Sequence, residues 1–346
     1  MSLISLYALP LSASKPVKWD NTLSLPAING QVNSGVGGAY SGFIGDLLVI
    51  AGGSNFPEGM PWEDGRKVWH STLYFIDTKD AGSCWTIVEN ALPVPLGYGV
   101  SIQLPDGLLC IGGCDSSQCY SNMFEIKLKE GKLSLSHEWP SLPVPLANMT
   151  GTLVDNKIYI AGGQESMEKQ EATNHFFMLD ISNKKQGWTV LPSWPGEARG
   201  FSVCAAQSNG LANCFYLFSG RNYKGDDVKI LSDGYCYNPT LNSWKKLDGR
   251  FPVMAGTALA ADTNHILLFG GAQQIIPGSY HHPGFDKTLR LYNTATNTMV
   301  EKETIPYPVA VTTNAIQKGN TMYITSGEIK PGIRTPVILR GIRLND

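Results

Sequence analysis

Short apolar runs that end in a glycine-containing pair recur six times along this chain. The pairs are Gly52-Gly53, Gly112-Gly113, Gly162-Gly163, Ser219-Gly220, Gly270-Gly271 and Ser326-Gly327. Successive pairs lie 60, 50, 57, 51 and 56 residues apart. Apolar runs of this length are typical of strands covered on both faces. A period of roughly 50 residues with such strands predicts an all-β fold, a six-bladed β-propeller of the kelch type.

Each repeat also carries the signals of a four-stranded antiparallel blade. A turn sequence such as Asp106-Gly107 precedes each apolar run and predicts a tight hairpin between the first and second strands. A third strand with an aromatic residue follows the glycines. Tryptophans mark three of the fourth strands, and the second and fifth repeats carry an aliphatic residue or methionine near that place: Trp85, Trp188, Trp244, Leu135 and Met299.

The sixth repeat has no fourth strand at its C-terminal end. The N-terminal segment supplies the missing pattern, with Trp19 followed by Leu25-Pro26. We therefore predict one domain, residues 1–346, in which residues 1–30 form the outer strand of the last blade. This arrangement closes the ring without a covalent bond and leaves no open edge there.

Composition and charge narrow the classes of partner. Of the 346 residues, 16% are charged, and the net charge is −2. This balance argues against a nucleic acid or an anionic membrane as partner. No run of residues is long enough to span a bilayer. The sequence does not indicate an oligomeric state.

The first residues and the cysteines bear on the compartment. No Lys or Arg precedes Lys15, so the start of the sequence lacks the basic region of a secretory signal. The seven cysteines fall mostly on predicted strands, which favours unpaired structural thiols over a disulfide or metal cluster. Both observations favour the cytoplasm, and a periplasmic location stays open if a signal peptide has been removed.

Antiparallel geometry places the long loops of all blades on one face. These loops join the second and third strands and cover residues 54–70, 164–175, 221–232, 272–287 and 328–336. We expect the functional site there, at the mouth of the central channel. Polar groups in the loops are the candidates, among them Asn55, Gln164 and Arg221. The loop 272–287 contributes Tyr280, His281 and His282, but adjacent histidines point apart in an extended chain, which argues against a metal site.

Glu328 and Arg334 are the strongest candidates. Glu328 follows a glycine that ends an inner strand, so its side chain is expected near the channel mouth. Arg334 lies six residues later, beyond the turn sequence Pro331-Gly332. Arg199 begins an innermost strand, where a charge is costly unless it is paired or binds a ligand. Lys330 lies in the same loop as Glu328, although a loop lysine is commonly solvated.

The segment Gly327-Glu328-Ile329-Lys330-Pro331-Gly332-Ile333-Arg334-Thr335 resembles a loop of the bacterial N-acetylneuraminate epimerases, or sialic acid mutarotases. Residues 37–53 and 98–113 resemble further segments of that family, whose late blades come first here. The chain therefore looks like a cyclically permuted branch. The resemblance implies that Glu328 and Arg334 form the catalytic pair, that Arg199 matches an arginine at the equivalent blade start, and that the reaction needs no cofactor or metal.

The implied reaction suits these residues. Free sialic acid is a cyclic hemiketal whose anomeric carbon bears a carboxylate, and exchange of its anomers requires ring opening and reclosure. One carboxyl group can move the protons, and arginine is the natural partner of the substrate carboxylate. We expect a small acidic sugar as substrate, with Arg199, Asn55, Arg221, Lys330 and Gln164 as its binding residues.

Two other functions remain open at this point. A kelch ring can bind a protein or an acidic sugar without catalysis, and that alternative predicts exposed apolar anchors on the loop face. A copper oxidase of the galactose-oxidase type needs a crosslinkable Tyr-Cys pair and separated histidine ligands. The resemblance of the 327–335 loop favours the epimerase, although not necessarily with N-acetylneuraminate itself as substrate.

Overall fold

The described strands form six four-stranded antiparallel sheets, which surround a central channel. They also form two two-stranded sheets, one of Ser54–Asn55 and Val68–Trp69 and the other of Gly327–Lys330 and Ile333–Thr335. The computed structural model describes residues 16–28, 30–80, 82–129, 132–276 and 281–343. The predicted six-bladed β-propeller is confirmed. Besides the strands, this part of the chain holds two short 3₁₀ helices, Pro61–Glu63 and Ile181–Gln186. None of its helices has the length and apolar character needed to cross a bilayer.

The blades are numbered along the chain, and their strands run from the channel outwards. Blade 1 consists of Tyr40–Ile44, Leu47–Ala51, Leu73–Asp77 and Thr86–Val88, and blade 2 of Val100–Leu104, Gly107–Ile111, Met123–Lys129 and Lys132–Ser136. Blade 3 consists of Thr150–Val154, Lys157–Ala161, Phe176–Asp180 and Thr189–Val190, and blade 4 of Val203–Ser208, Asn213–Lys224, Asp227–Asn238 and Ser243–Lys246. Blade 5 consists of Thr257–Ala261, His265–Phe269, Thr288–Asn293 and Thr298–Thr304.

Blade 6 joins the two ends of the chain. Its inner strands are Ala315–Lys318, Thr321–Ile324 and Val337–Arg343, and its outer strand is the N-terminal Val17–Ser24. The pairing runs from Val17 opposite Arg343 to Ser24 opposite Val337. The predicted closure of the last blade by the N-terminal strand is therefore confirmed. Of the residues 1–30 assigned to it, 1–15 and 29 lie outside the described part of the chain.

The core lies between neighbouring blades. One apolar cluster joins Val100 and Ile111 of blade 2 to Ile160 and Phe177 of blade 3, all at most 5% exposed. Burying an aliphatic or aromatic side chain of this size stabilises the fold by about 1.5–3 kcal/mol. Because such clusters fill successive interfaces, the rigid ring can hold side chains from different blades at fixed positions around the channel.

The segment 221–232 differs from its prediction as a loop. In the structure the second and third strands of blade 4 continue to Lys224 and Asp227 and project as a long hairpin. Gly225 adopts a left-handed φ of 58° in the turn, a signal that the sequence analysis overlooked. The hairpin is held from the side by backbone hydrogen bonds from Ala172 N to Tyr223 O (2.9 Å) and from Gly225 N to Gln170 O (2.8 Å).

A closed ring of six backbone hydrogen bonds crosses the channel. One residue from the start of each blade donates its N–H to the carbonyl oxygen of the corresponding residue in the preceding blade, at 2.7–2.8 Å. All six have left-handed φ angles between 52° and 72°. The ring residues are Gly38, Tyr98, Asn148, Phe201, Ala255 and Thr312. Five are not glycine, and each left-handed residue of that kind stores about 1–3 kcal/mol of strain.

Candidate active site

The residue that follows each glycine-containing pair occupies an equivalent place in every blade. Each forms an isolated antiparallel bridge with the residue just before a ring residue. The six are Ser54, Cys114, Gln164, Arg221, Ala272 and Glu328. For Glu328, the sequence predicted that the residue after the glycine-containing pair lies near the channel mouth. The same reasoning applies to all six repeats and identifies five residues that line the cavity described next.

Five of these six residues, together with five of the ring residues, line one cavity of about 470 Å³. The ring residues also line a second space of about 410 Å³ between the innermost strands. The ring thus separates the cavity from the channel beneath it. Of the described residues that line the cavity, three are basic and one is acidic: Lys67, Arg221, Arg334 and Glu328. This excess of positive charge suits an anionic ligand.

The structure brings Glu328 and Arg334 together across a small hairpin formed by Gly327–Lys330 and Ile333–Thr335. Arg334 Nη1 donates to Glu328 Oε1 at 2.8 Å, and the backbone N–H of Gly332 donates to the same oxygen at 2.6 Å. Glu328 Oε2 accepts no hydrogen bond from the described residues. One carboxylate oxygen is therefore fixed, and the other is available to a ligand.

Arg334 is held from several sides. Its side chain is 5% exposed, and its guanidinium lies 4.9 Å above the ring of Phe56. Nη2 donates to the hydroxyl of Tyr98 at 3.3 Å, while Nε is buried and receives no hydrogen-bond partner from the part of the chain that the structure describes. A Cβ on Gly37 would approach that Nε to 3.3 Å, so the glycine leaves room for the guanidinium. These contacts fix the position of the Arg334 guanidinium, which in turn orients the carboxylate of Glu328.

Arg221 differs from Arg334 because it forms no ion pair with an acidic side chain of the described residues. Its guanidinium stacks 4.2 Å from the ring of Phe201 and 5.1 Å from that of Tyr223. In the described part of the chain no hydrogen bond or ion pair reaches it, and its Nε is buried. Burial lowers the pKa of Arg221, whereas the charge of Glu328 opposes the shift. A half-buried cation in this state is stabilised when an anion binds.

Lys67 and His282 also line the cavity, and sequence reasoning missed them as ligand-binding candidates. The Lys67 ammonium lies 4.1 Å from the centre of the Tyr98 ring and 4.6 Å from that of Trp69. Burial and the charge of Lys330 lower the pKa of His282, so the ring is neutral near pH 7. His282 Nδ1 accepts from Gly284 N at 3.1 Å, which leaves Nε2–H as the donor. No local pattern distinguished either residue from a solvated loop side chain.

Gln164 and Asn148 form a polar wall of the cavity. Gln164 Oε1 accepts from Asn148 Nδ2 (3.0 Å) and from the Tyr223 hydroxyl (2.7 Å), and its Nε2 donates to Ser166 O (2.9 Å). Asn148 Oδ1 is buried and has no hydrogen-bond partner among the described residues. Gln164 therefore positions its neighbours, and the unsatisfied oxygen belongs to Asn148.

Three predicted binding residues do not line this cavity: Arg199, Asn55 and Lys330. Arg199 is fully buried and forms a two-pronged ion pair with Asp233, at 2.8 and 3.1 Å. Asp233 therefore pairs with the buried charge of Arg199 within the fold. The sequence had left two explanations for that charge, an ion pair and a bound ligand. Asn55 contacts Gly35 O, Ser34 Oγ and His70 Nε2, which holds the 54–70 loop. Tyr280 lies outside the described residues.

The cysteines form neither disulfides nor a cluster of potential metal ligands in the described part of the chain. All seven cysteines are unpaired. Cys114 lines the cavity, and burial raises its pKa to about 11, although the charge of Lys67 opposes the shift. Within the described ranges no three or more His, Cys, Asp or Glu side chains are grouped as a metal site.

Comparisons with known proteins identify relatives. The family model for N-acetylneuraminate epimerase matches residues 8–135 and 139–284. The N-acetylneuraminate epimerase of Salmonella enteritidis PT4 (strain P125109) is 27% identical over 236 residues, which cover 60% of this chain and 59% of that protein. The protein of the same name from Haemophilus influenzae (strain PittEE) is 26% identical over 226 residues, 57% of each chain. The chain thus spans less than two thirds of the length of these curated relatives.

Proposed function

Because the chain belongs to the N-acetylneuraminate epimerase family, we propose that it interconverts the anomers of free N-acetylneuraminate or a closely similar acidic sugar. The observation that carries the proposal is the ion pair of Glu328 and Arg334 in the wall of a cavity with excess positive charge. A carboxylate with one fixed oxygen and one open oxygen is suited to proton transfer. The surrounding cations are suited to an anionic sugar.

In the proposed mechanism Glu328 acts first as a base. It takes the proton of the anomeric hydroxyl as the bond between the anomeric carbon and the ring oxygen breaks. The protonated carboxyl group then delivers that proton to the ring oxygen, which gives the open-chain keto acid. Rotation about the bond next to the carbonyl carbon presents its other face. Ring closure by the reverse transfers yields the other anomer, so all atoms and protons balance.

Arg334 is assigned a positioning role in this mechanism. Its hydrogen bond to Oε1 fixes the carboxylate and stabilises the charge that Glu328 regains after each cycle. General acid-base catalysis of this kind contributes about 10²–10⁴-fold. That range is sufficient for a reaction which also proceeds spontaneously.

The test follows anomer equilibration directly. N-acetylneuraminate freshly released from an α-sialoside is mixed with the purified protein, and proton NMR records the approach to equilibrium. We expect a rate that rises in proportion to protein concentration. Equilibration at the rate of buffer alone contradicts the proposal. If calorimetry then still detects binding of the sugar, the protein is a binding module for an acidic sugar, the second function considered from the sequence.

A further inference from the structure

At two equivalent positions that line the cavity, blade 5 carries smaller side chains than its neighbours. At the place after the glycine pair it carries Ala272, whereas blade 4 carries Arg221 and blade 6 carries Glu328. Its ring residue is Ala255, between Phe201 and Thr312 in the ring. Two methyl groups therefore occupy the places where the flanking blades present large or charged side chains.

The two charged groups on either side of this space interact electrostatically. Glu328 raises the pKa of Arg221 against the effect of burial, which places the carboxylate within electrostatic reach of the guanidinium. Both residues line the same cavity as Ala272 and Ala255. Ala272 and Ala255 thus form the floor of a gap, and Gln274, His282 and Phe285 of the same blade also line the cavity. The gap is bounded by a cation without an acidic hydrogen-bond partner among the described residues and by a carboxylate with one open oxygen.

The other cations are less suited to hold a carboxylate. Arg334 already donates to Glu328 and to Tyr98. The Lys67 ammonium lies over the aromatic side chain of Tyr98. Tyr98 is the residue that blade 2 contributes to the ring of backbone hydrogen bonds. An ammonium also offers a point charge rather than the planar pair of donors that a carboxylate accepts.

We propose that the acidic sugar lies over blade 5, with its carboxylate on Arg221 and its anomeric centre at Glu328, and that Ala272 determines which sugars fit. This inference rests on the proposed function. In a sugar whose carboxylate is attached to the anomeric carbon, the charged group and the reacting hydroxyl are two bonds apart. The gap between Arg221 and Glu328 can therefore bind one and present the other.

The experiment compares N-acetylneuraminate with its methyl ester, which lacks the negative charge. Calorimetry measures the affinity of both for the wild-type protein and for Arg221→Met, Lys67→Met and Arg334→Met. We expect Arg221→Met to weaken binding of the acid by about 30-fold or more, as for the loss of a buried charge partner. Its affinity for the ester should change by less than about threefold. Arg250→Met removes an exposed arginine and should match the wild type.

A second pair of variants tests the space itself. Ala272→Leu should weaken binding of both acid and ester by about 30-fold or more, because the added side chain occupies the gap. Ala295→Leu is the matched control, since Ala295 is exposed in a turn at the opposite end of blade 5. Thermal unfolding of each variant establishes that it is folded.

The outcomes separate this inference from the proposed function. If the wild type accelerates anomer exchange but Arg221→Met still prefers the acid over the ester as the wild type does, the assignment of the carboxylate is wrong and the catalytic proposal stands. Loss of that preference in Lys67→Met or Arg334→Met, but not in Arg221→Met, has the same meaning. Wild-type binding by Ala272→Leu shows that the sugar does not lie over blade 5, and the catalytic proposal again stands. If the wild type neither binds the acid nor accelerates exchange, both proposals fail together.

Discussion

At the scale of single residues, the two oxygens of Glu328 are in different environments. Oε1 accepts hydrogen bonds from Arg334 Nη1 and Gly332 N. Glu328→Gln keeps the size of the side chain and removes the group that carries the proton. We expect anomer exchange to slow by about 10²-fold or more. Saturation-transfer NMR measures the exchange rate.

Binding provides the control for that variant. Calorimetry should find the affinity for N-acetylneuraminate largely unchanged, because the cavity retains its cations and its shape. If Glu328→Gln exchanges anomers at the wild-type rate, Glu328 is not the proton carrier, and the proposed mechanism is wrong.

The pair of Arg199 and Asp233 predicts a dependence of stability on pH. Burial alone would raise the pKa of Asp233, but the hydrogen bonds and charge of Arg199 outweigh it, and the pKa lies below its usual range. A carboxyl group whose pKa falls on folding stabilises the protein above its unfolded pKa of about 3.9. That stabilisation is lost as the pH falls through the folded pKa.

Asp233→Asn should therefore destabilise the protein at pH 7 by about 3–5 kcal/mol, since it leaves a buried guanidinium unpaired. The difference from the wild type should shrink below about pH 4. Urea unfolding at pH 7 and at pH 3 measures both. Glu197→Gln, which removes an exposed partner of Lys229, is the control and should change stability by about 1 kcal/mol or less. An Asp233→Asn protein as stable as the wild type at pH 7 contradicts this account.

At the scale of elements, the sequence predicted those features that local chemistry produces. Glycine-containing pairs, turn residues, short apolar runs and aromatic residues predicted the strands of the six blades. The left-handed ring residues were not predicted, because Tyr98, Phe201 and Thr312 do not favour that conformation locally. Closure of the hydrogen-bonded ring imposes it on them. Such tertiary constraints leave no mark in a single repeat.

The ring residue of blade 1 allows a direct test of this constraint. A Cβ on Gly38 would come within 2.7–2.9 Å of the Tyr98 ring. Gly38→Ala should therefore displace Tyr98, whose hydroxyl accepts from Arg334, and slow anomer exchange as well as destabilise the fold. The expected loss in urea unfolding exceeds the roughly 1–2 kcal/mol of a left-handed alanine alone.

Gly45→Ala is the matched control for that substitution. Gly45 also has a left-handed backbone, with a φ of 59°, but a Cβ there meets nothing within 4 Å. It should show the backbone penalty without the loss of activity. Equal activity in the two variants contradicts the link between the ring and the catalytic pair.

At the scale of the whole molecule, the structure brings four of the seven predicted site residues to one cavity, and their roles stay predictions. The fold placed Glu328, Arg334, Arg221 and Gln164 at one cavity because equivalent positions in a propeller converge on its axis. Arg199 does not line the cavity, because Asp233 of the same blade pairs with its guanidinium. A buried arginine can be neutralised in this way as well as by a ligand. Lys67 and His282 come from long loops, whose paths depend on contacts that no repeat pattern specifies.

That the reaction needs no metal stays a prediction. We expect anomer exchange to survive prolonged dialysis against EDTA, because the proposed proton transfers use only side chains of the cavity. The measurement is the NMR exchange rate before and after dialysis. Activity that is lost and then restored by zinc or copper would show that a metal participates, and it would require a different site.

Closure of the ring by the N-terminal strand is the last property to test. Trp19 is half-buried on that strand, packs edge-on against Phe269 of blade 5 at 6.5 Å and donates to Glu303 at 3.4 Å. Because Trp19 is only half-buried, Trp19→Ala should destabilise the protein by less than the roughly 3–5 kcal/mol of a fully buried tryptophan.

Deletion of residues 1–26 should destabilise the protein further, since it exposes the edge of Val337–Arg343 and leads to aggregation. A synthetic peptide of residues 16–28 should restore the monomer by adding the missing strand. Size-exclusion chromatography measures the oligomeric state of the truncated protein, and thermal unfolding measures its melting temperature. A truncated protein that stays monomeric with an unchanged melting temperature would show that the N-terminal strand does not hold the ring together.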